Sequence, residues 1–533
     1  MKEDIVDVLV VGAGASGAAL SWSLAETRMR IVCLEQGDWM NPAEYPSTRR
    51  DWEARTFADF AISPNDRGRV TDYPIDDSRS PIKVANFNGV GGGTILYSGH
   101  YPRLHPSDFK VKTLDGVADD WPIDYETLEP FYDLNDRMTG VSGLAGDPAY
   151  PDKPAIMPPV PLGRSGQTLA RGFNKLGWHW WPSDSAVATS PYDGRDKCLN
   201  LGLCITGCAQ GAKASTDITY WPHAIRSRVE VRPRCRVREI TVNETGMADG
   251  VIYYDAQGNE CRQRAEVVVV ACNGVGTPRL LLNSTSSLFP DGLANRSGLV
   301  GRNLMFHPYA SVYAVFEEPQ DSVTGPENSL WSHEFYETDA GRDFVRGFIF
   351  ECSRGLGPVG TAIKAEQNRK LSWGASHHDD YQRFYHRTAG IMAICEDLPE
   401  EHNTVSLHPD LTDSNGIPAP RIDYTLGENS RRMLNFSIAR ATEVLEAAGG
   451  TGVMVESPLA EGGWHLMGTA RMGIDPERSV VNEWGRCHDV KNLFIVDGSL
   501  FVTSGGVNPT RTIQALALYV ADAMKQRLAN LFD

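Results

Sequence analysis

At 533 residues with 41% hydrophobic composition, the chain is long enough for two or more domains with buried cores. Its formal charge of −17 repels nucleic acid and anionic membrane surfaces and fits a small-molecule ligand. The first apolar strand begins within a few residues of Met1, no run approaches the ~18 apolar residues of a spanning helix, and the ten cysteines are mostly scattered. The expectation is a cytoplasmic protein without signal peptide or membrane span.

Val8-Leu9-Val10-Val11 predicts a strand, and it runs into Gly12-Ala13-Gly14-Ala15-Ser16-Gly17. Ala18 to Ala25 then predicts a helix, and a second apolar run, Ile31-Val32-Cys33-Leu34, ends at Glu35, eighteen residues beyond Gly17. Strand, glycine turn, helix and acid at this spacing predict a dinucleotide site. Gly12 permits the tight turn, Gly14 lets backbone approach a pyrophosphate, and Gly17 lets the helix pack closely on the strand. The helix N-terminus at Ala15 and Ser16 offers free N–H groups to phosphate, and Glu35 can accept hydrogen bonds from a ribose 2′-OH. That acid disfavours NADP and leaves FAD and NAD.

Residues 38 to 80 show no sustained periodicity and read as an irregular excursion. Asn86 to Thr94 follows, where Gly89, Gly91, Gly92 and Gly93 allow close approach of backbone to a ligand. Trp121 to Tyr132 predicts a turn and a short helix, and the Pro-rich stretch 145 to 165 reads as a linker, an oligomer arm or a surface loop. Cys198, Cys204 and Cys208 fall within eleven residues, which leaves open an iron–sulfur cluster, zinc or a thiol-rich loop. Strands are predicted at Val229–Val231, Val237–Val242, Gly250–Tyr254 and Ala265–Cys272, where the unbroken run Val267 to Ala271 reads as a buried parallel strand.

Between 308 and 450, strand-like runs (Ser311 to Phe316, Val345 to Phe350, Thr388 to Cys395) alternate with turns, and a helix is predicted over about Asn429 to Ala448. Trp373, His377, His378, Tyr381, Phe384 and Tyr385 read as a pocket, a lid or a surface loop with buried rings. Near the C-terminus, His465 lies among small and apolar residues. Ile495 to Ser499 ends a strand, and Gly505-Gly506-Val507-Asn508-Pro509-Thr510 opens a helix with Pro509 in its first turn.

The N-terminal fingerprint, the second glycine loop and the motifs around His465 and Asn508 together resemble the glucose-methanol-choline oxidoreductases, from about Val8 to Ala523. The middle motifs are similar to the gluconate-dehydrogenase and pyranose-oxidase branch. The resemblance implies an FAD enzyme whose second glycine loop, with Gly91, Gly92, Gly93 and Thr94, lies along the flavin. Members with covalent flavin carry a His where, matched on Pro102-Arg103, this chain has Leu96, so the implied FAD is non-covalent. Val237, Asp497, Gly498, Asn508, Pro509 and Thr510 are implied to contact the cofactor as well. His465 falls on the family's catalytic His and Asn508 on its partner. The Cys198, Cys204 and Cys208 spacing resembles FAD sugar dehydrogenases with a three-iron (3Fe-4S) cluster, although Ala209 replaces their Pro.

The expected fold is α/β, a discontinuous Rossmann-like FAD domain with an inserted α+β substrate domain on a mainly antiparallel sheet. Residues 1–307, with irregular insertions at about 38–80 and 140–215, form the FAD domain; 308–450 form the substrate domain, and 451–533 return to the first. The implied reaction is oxidation of a sugar, glycoside or polyol hydroxyl, with His465 taking the proton and hydride passing to flavin. An aromatic or aliphatic alcohol oxidase, a flavoprotein subunit of an iron–sulfur sugar dehydrogenase complex and a non-redox hydroxynitrile lyase are the alternatives. O2 or a quinone-type compound is the expected acceptor, and the sequence leaves the oligomeric state open.

Overall fold

A computed structural model describes residues 4–321, 323–327 and 329–527. The run that predicts the first strand forms one over Ile5–Val11, paired in parallel with Ile31–Leu34 on one side and Glu260–Val270 on the other. The sheet runs in the order Glu230–Arg232, Ile31–Leu34, Ile5–Val11, Glu260–Val270, Ala248–Tyr254, Arg236–Val242. Leu493–Ile495 adds in parallel along the C-terminal half of Glu260–Val270, while Ala248–Tyr254 pairs antiparallel along its N-terminal half. The result is a parallel Rossmann-like core extended by an antiparallel meander.

Strand alternation explains how one sheet fills two cores. Val8, Val10, Val267 and Val269 face the helices Ala15–Leu24 and Thr510–Arg527, which pack on each other. Leu9, Val11, Val268 and Val270 face the opposite core, with Trp121, Tyr125 and Tyr132. Tyr125 and Tyr132 belong to the helix Tyr125–Thr139, longer than the short helix expected there. Asp124 caps it, accepting from Thr127 N at 2.9 Å, and Gly140 ends it in the left-handed conformation. The first helix begins at Ala15 rather than Ala18, directly at the glycine turn.

A second sheet is antiparallel, in the order Thr451–Glu456, Tyr309–Val315, Thr388–Cys395, Phe348–Ser353, Leu330–Ser332, Trp181–Pro182. Its end strands come from outside 308–450. Ala310, Val312, Phe350, Ile391 and Ala393 point to one face, where the helices Gly163–Leu176 and Glu428–Ala447 cover them. Tyr309, Ile349 and Ile394, and by the same alternation Glu351, point to the other, toward the first domain's core. The excursion 38–80 contains the short helices Trp52–Thr56 and Pro64–Arg67. It also supplies Asp76–Arg79 to a three-stranded sheet with Thr404–Thr412 and Pro418–Asp423. The aromatic stretch after Trp373 forms a surface helix, His377–Phe384, with Trp373 itself fully exposed. Among the described residues no helix is long and apolar enough to cross a membrane.

Candidate active site

A cleft runs from the glycine turn to the loop carrying His465. Gly12, Gly14, Ala15 and Ser16 line it at the mouth of the first helix, whose N-cap Gly14 supplies no side chain to the free N–H groups. The glycines divide by job. Gly12 has φ +103°, and a Cβ there would press on Ala271 O; a Cβ on Gly17 would press on Gly12 O. These two positions are required by protein packing. At Gly14 the nearest neighbour of an added Cβ is Gly92 Cα at 3.8 Å, and at Gly93 nothing lies within 4 Å, so both face open space. Gly92 lies against Gly14, with 2.7 Å between its ideal Cβ and Gly14 Cα, and the two glycine loops therefore form one cradle.

Gly92, Gly93 and Thr94 line this cradle, whereas Gly91, with φ +105°, turns the backbone behind it. Glu35 lines the cleft with its carboxylate held by Ala13 N and Gly37 N, each at 2.8 Å. Burial pushes its pKa up to about 7 against these hydrogen bonds. Cys235 N donates to Glu35 O at 2.8 Å, and Val237, two residues on, lines the cleft too. Asp497 and Gly498 stand at the end of Leu493–Ile495. The Asp497 carboxyl accepts from Thr277 Oγ1 at 2.5 Å and Ser499 N at 2.9 Å, and burial raises its pKa. Pro509 and Thr510 line the cleft at the start of the last helix. Arg511 anchors that start, bonding Asp136 at 2.7 Å and Asp184 at 2.8 Å. Tyr73, Asn88, Asn273 and Arg279 also line the cleft and are not among the contacts expected from sequence.

At its far end the cleft is bounded by a buried polar wall. His465 lines the cleft, and its Nδ1 lies 2.7 Å from His307 Nδ1. His307 Nε2 lies 2.6 Å from Gly505 O. A carbonyl only accepts, so His307 carries its proton on Nε2 and its Nδ1 has the lone pair. His465 must then donate from Nδ1, which leaves the lone pair on His465 Nε2. Both rings are neutral: burial lowers His307 to about 4, and burial together with His307 lowers His465 well below its ordinary value. Tyr309 OH lies 3.3 Å from His465 Nδ1 and 3.5 Å from Nε2. Asn508, absent from the cleft lining, sits in this wall. Its amide hydrogen-bonds the Glu351 carboxyl, and its Oδ1 is buried without a hydrogen-bond partner. His100 Nδ1 lies 3.1 Å from Glu351 Oε1.

The cleft fits a flavin dinucleotide: open glycine faces beside a helix N-terminus, an acid held by backbone amides, and an orphaned polar atom at the far end. The cysteine segment lies beside the cradle, and the cofactor cleft does not draw on it. Among the described residues no group of three or more His, Cys, Asp and Glu side chains converges as a metal site, and Cys198, Cys204 and Cys208 form none. Cys204 is buried with its thiol pushed up to about 12, whereas Cys198 and Cys208 are half-buried. The segment packs on the second glycine loop through Lys213, whose buried Nζ donates to Ile95 O, Tyr97 O and Cys204 O at 2.9, 2.7 and 2.6 Å.

Comparison with known proteins places this geometry among relatives. Residues 160–309 and 399–517 match the two models described as GMC oxidoreductase, and residues 10–72 match the NAD(P)-binding Rossmann-like domain. The chain is 41% identical to 2-methyl-1,2-propanediol dehydrogenase of Mycolicibacterium austroafricanum, over 99% of this chain and 97% of that one. It is 29% identical to the fructose dehydrogenase large subunit of Gluconobacter japonicus, over 97% of each. The crystal structure of pyridoxine 4-oxidase from Mesorbium loti shares the fold, with a TM-score of 0.69 at 17% identity over 98% of this chain and 99% of that one.

Proposed function

The chain belongs to the GMC oxidoreductase family, and from that premise we propose that it oxidises a hydroxyl of a small polyol or sugar to a carbonyl, with non-covalent FAD in the cleft. The observation that carries this reading is the pair of neutral imidazoles at the cleft's end, which leaves a lone pair on His465 Nε2. In this reading Gly12 to Ser16 cradle the pyrophosphate and Glu35 accepts from the adenosine ribose. Gly92, Gly93, Thr94, Val237, Asp497, Gly498, Pro509 and Thr510 complete the holding set. FAD supplies the two-electron acceptor for the hydrogen on the carbinol carbon.

His465 Nε2 takes the hydroxyl proton as that hydrogen leaves. A neutral imidazole is suited to the role, and its Nδ1–H bond to His307 fixes the tautomer that leaves Nε2 free to accept a proton. Asn508 has two amide N–H groups; one is engaged by Glu351, and the other holds the reacting oxygen in place. Aromatic rings and buried sheet around Tyr309 keep water from the site.

Anaerobic titration of the holoenzyme with polyols, sugars and simple alcohols tests the reading, with the flavin absorbance as readout. His465→Ala is expected to keep its flavin but reduce it ~10²–10⁴-fold more slowly. Unchanged reduction in that variant would sink the assignment of the base. Recovery of colour on admitting air then separates an O2-using oxidase from an enzyme that needs a quinone-type acceptor.

A further inference from the structure

Glu351 is a charge-bearing residue in the apolar strand Phe348–Ser353, buried on the face that looks toward His465 and Tyr309. It is not needed for the reaction as described, yet it meets the site directly through Asn508. In this wall Asn508 Oδ1 is buried without a hydrogen-bond partner, and one amide group away Glu351 Oε1 faces His100 Nδ1 at 3.1 Å. A buried polar atom left unpaired is costly, and one beside a reaction centre calls for a ligand group that donates to it. The reacting hydroxyl cannot fill the need, because its single proton goes to His465 Nε2.

We propose that Glu351 and Asn508 Oδ1 form a subsite for a second hydroxyl adjacent to the one oxidised, so that the substrate is a vicinal diol or polyol and Glu351 is its specificity residue. The inference rests on His465 being the base for alcohol oxidation. Burial, with Glu327 nearby, drives the Glu351 carboxyl well above the usual carboxylate range, which favours the protonated form, able both to donate and to accept. A hydroxyl has the same dual character. With His465 and His307 neutral and burial disfavouring charge on Glu351, the wall selects by hydrogen bonding rather than by a fixed charge. A mono-alcohol of the same skeleton leaves the subsite unpaired, which is the kind of mismatch that a polar site rejects most strongly.

The test is kcat/KM for flavin reduction with matched pairs that differ in one hydroxyl: propane-1,2-diol against propan-1-ol, 2-methylpropane-1,2-diol against 2-methylpropan-1-ol, and sugars against their deoxy analogues. The wild-type enzyme is expected to favour the member with the second hydroxyl by on the order of 10²-fold. In Glu351→Leu that ratio is expected to fall to within a few fold of one, with the loss in the KM of the diol, and Glu351→Gln is expected to restore most of it. Flavin content of each variant reports whether the fold is intact. Equal use of both members by the wild type overturns the subsite. So does an unchanged ratio in Glu351→Leu with kcat lowered for both, which would make Glu351 only a support for Asn508. Absence of flavin reduction by any hydroxyl compound would instead overturn the alcohol reading, and this inference with it.

Discussion

The two ends of the cleft are built on opposite principles. At the glycine end, the ligand meets backbone: Gly12, Gly14 and Gly17 lie within six consecutive residues, and sterics alone decide which of them must be glycine. At the histidine end it meets side chains from His307, Tyr309, Glu351, His465 and Asn508, on separate strands and loops of two sheets. A backbone site tolerates little change in its few residues and is written locally. A side-chain site is assembled by the fold, and single changes there tune chemistry without removing the ligand.

Breaking the glycine end should therefore have the largest consequence. Gly17→Val presses on Gly12 O in the middle of the parallel sheet, where strand Ile5–Val11 is paired on both sides and cannot retreat. The expected result is a loss of more than ~3 kcal/mol of stability and no retained flavin. Gly14→Ala sharpens the contrast, because its Cβ meets no protein atom closer than 3.8 Å. Its unfolding midpoint should stay near wild type while flavin is lost on gel filtration. Equal destabilisation by both would show that the packing and ligand roles are not separate.

Lys213→Met is the next step down. The ammonium donates to the carbonyls of Ile95, Tyr97 and Cys204 at once, and so ties the cysteine segment to the second glycine loop. Removing it leaves buried acceptors unpaired, at a cost of roughly 2–4 kcal/mol in denaturant unfolding. A variant as stable as wild type would show that water or a shifted side chain replaces the ammonium.

The same contrast explains what was legible in the sequence. The first strand, the glycine turn, Glu35, the buried strand through Val267 to Val270 and the long helix Glu428–Ala447 all follow from local pattern. The helix Tyr125–Thr139 runs beyond the short helix its sequence suggests, through Pro130, held by a capping aspartate and a terminal glycine. His307 is not legible as a site residue in the sequence. Its partner lies 158 residues away, and nothing near it in sequence announces a ring-to-ring hydrogen bond. Glu351 did leave a signal, an acid inside the run Phe348 to Cys352, which a reader of alternation alone passes over. The cysteine spacing was legible too, but spacing alone does not fix what the thiols hold, and among the described residues no group of three or more His, Cys, Asp and Glu is arranged for a metal ion.

The histidine end can be altered with the smallest effect and the most specific signature. His307→Leu removes the acceptor that holds the proton on His465 Nδ1, so the ring is free to carry it on Nε2 and lose its basic lone pair. Flavin should remain bound, and flavin reduction should slow by about 10²-fold, in kcat more than in KM. The pH profile carries the sign. The base works unprotonated, and burial with His307 beside it lowers the His465 pKa below its ordinary value, so wild-type kcat/KM should stay flat as pH falls through 6.5 and decline only below it. Without the His307 ring one of the two lowering influences is gone, and the acid limb should move up toward 6.5. A wild-type limb already at 6.5, or one that His307→Leu leaves in place, would mean that the two rings are not coupled as their 2.7 Å contact indicates. The two ends of the cleft would then differ in sequence range but not in the way each is held.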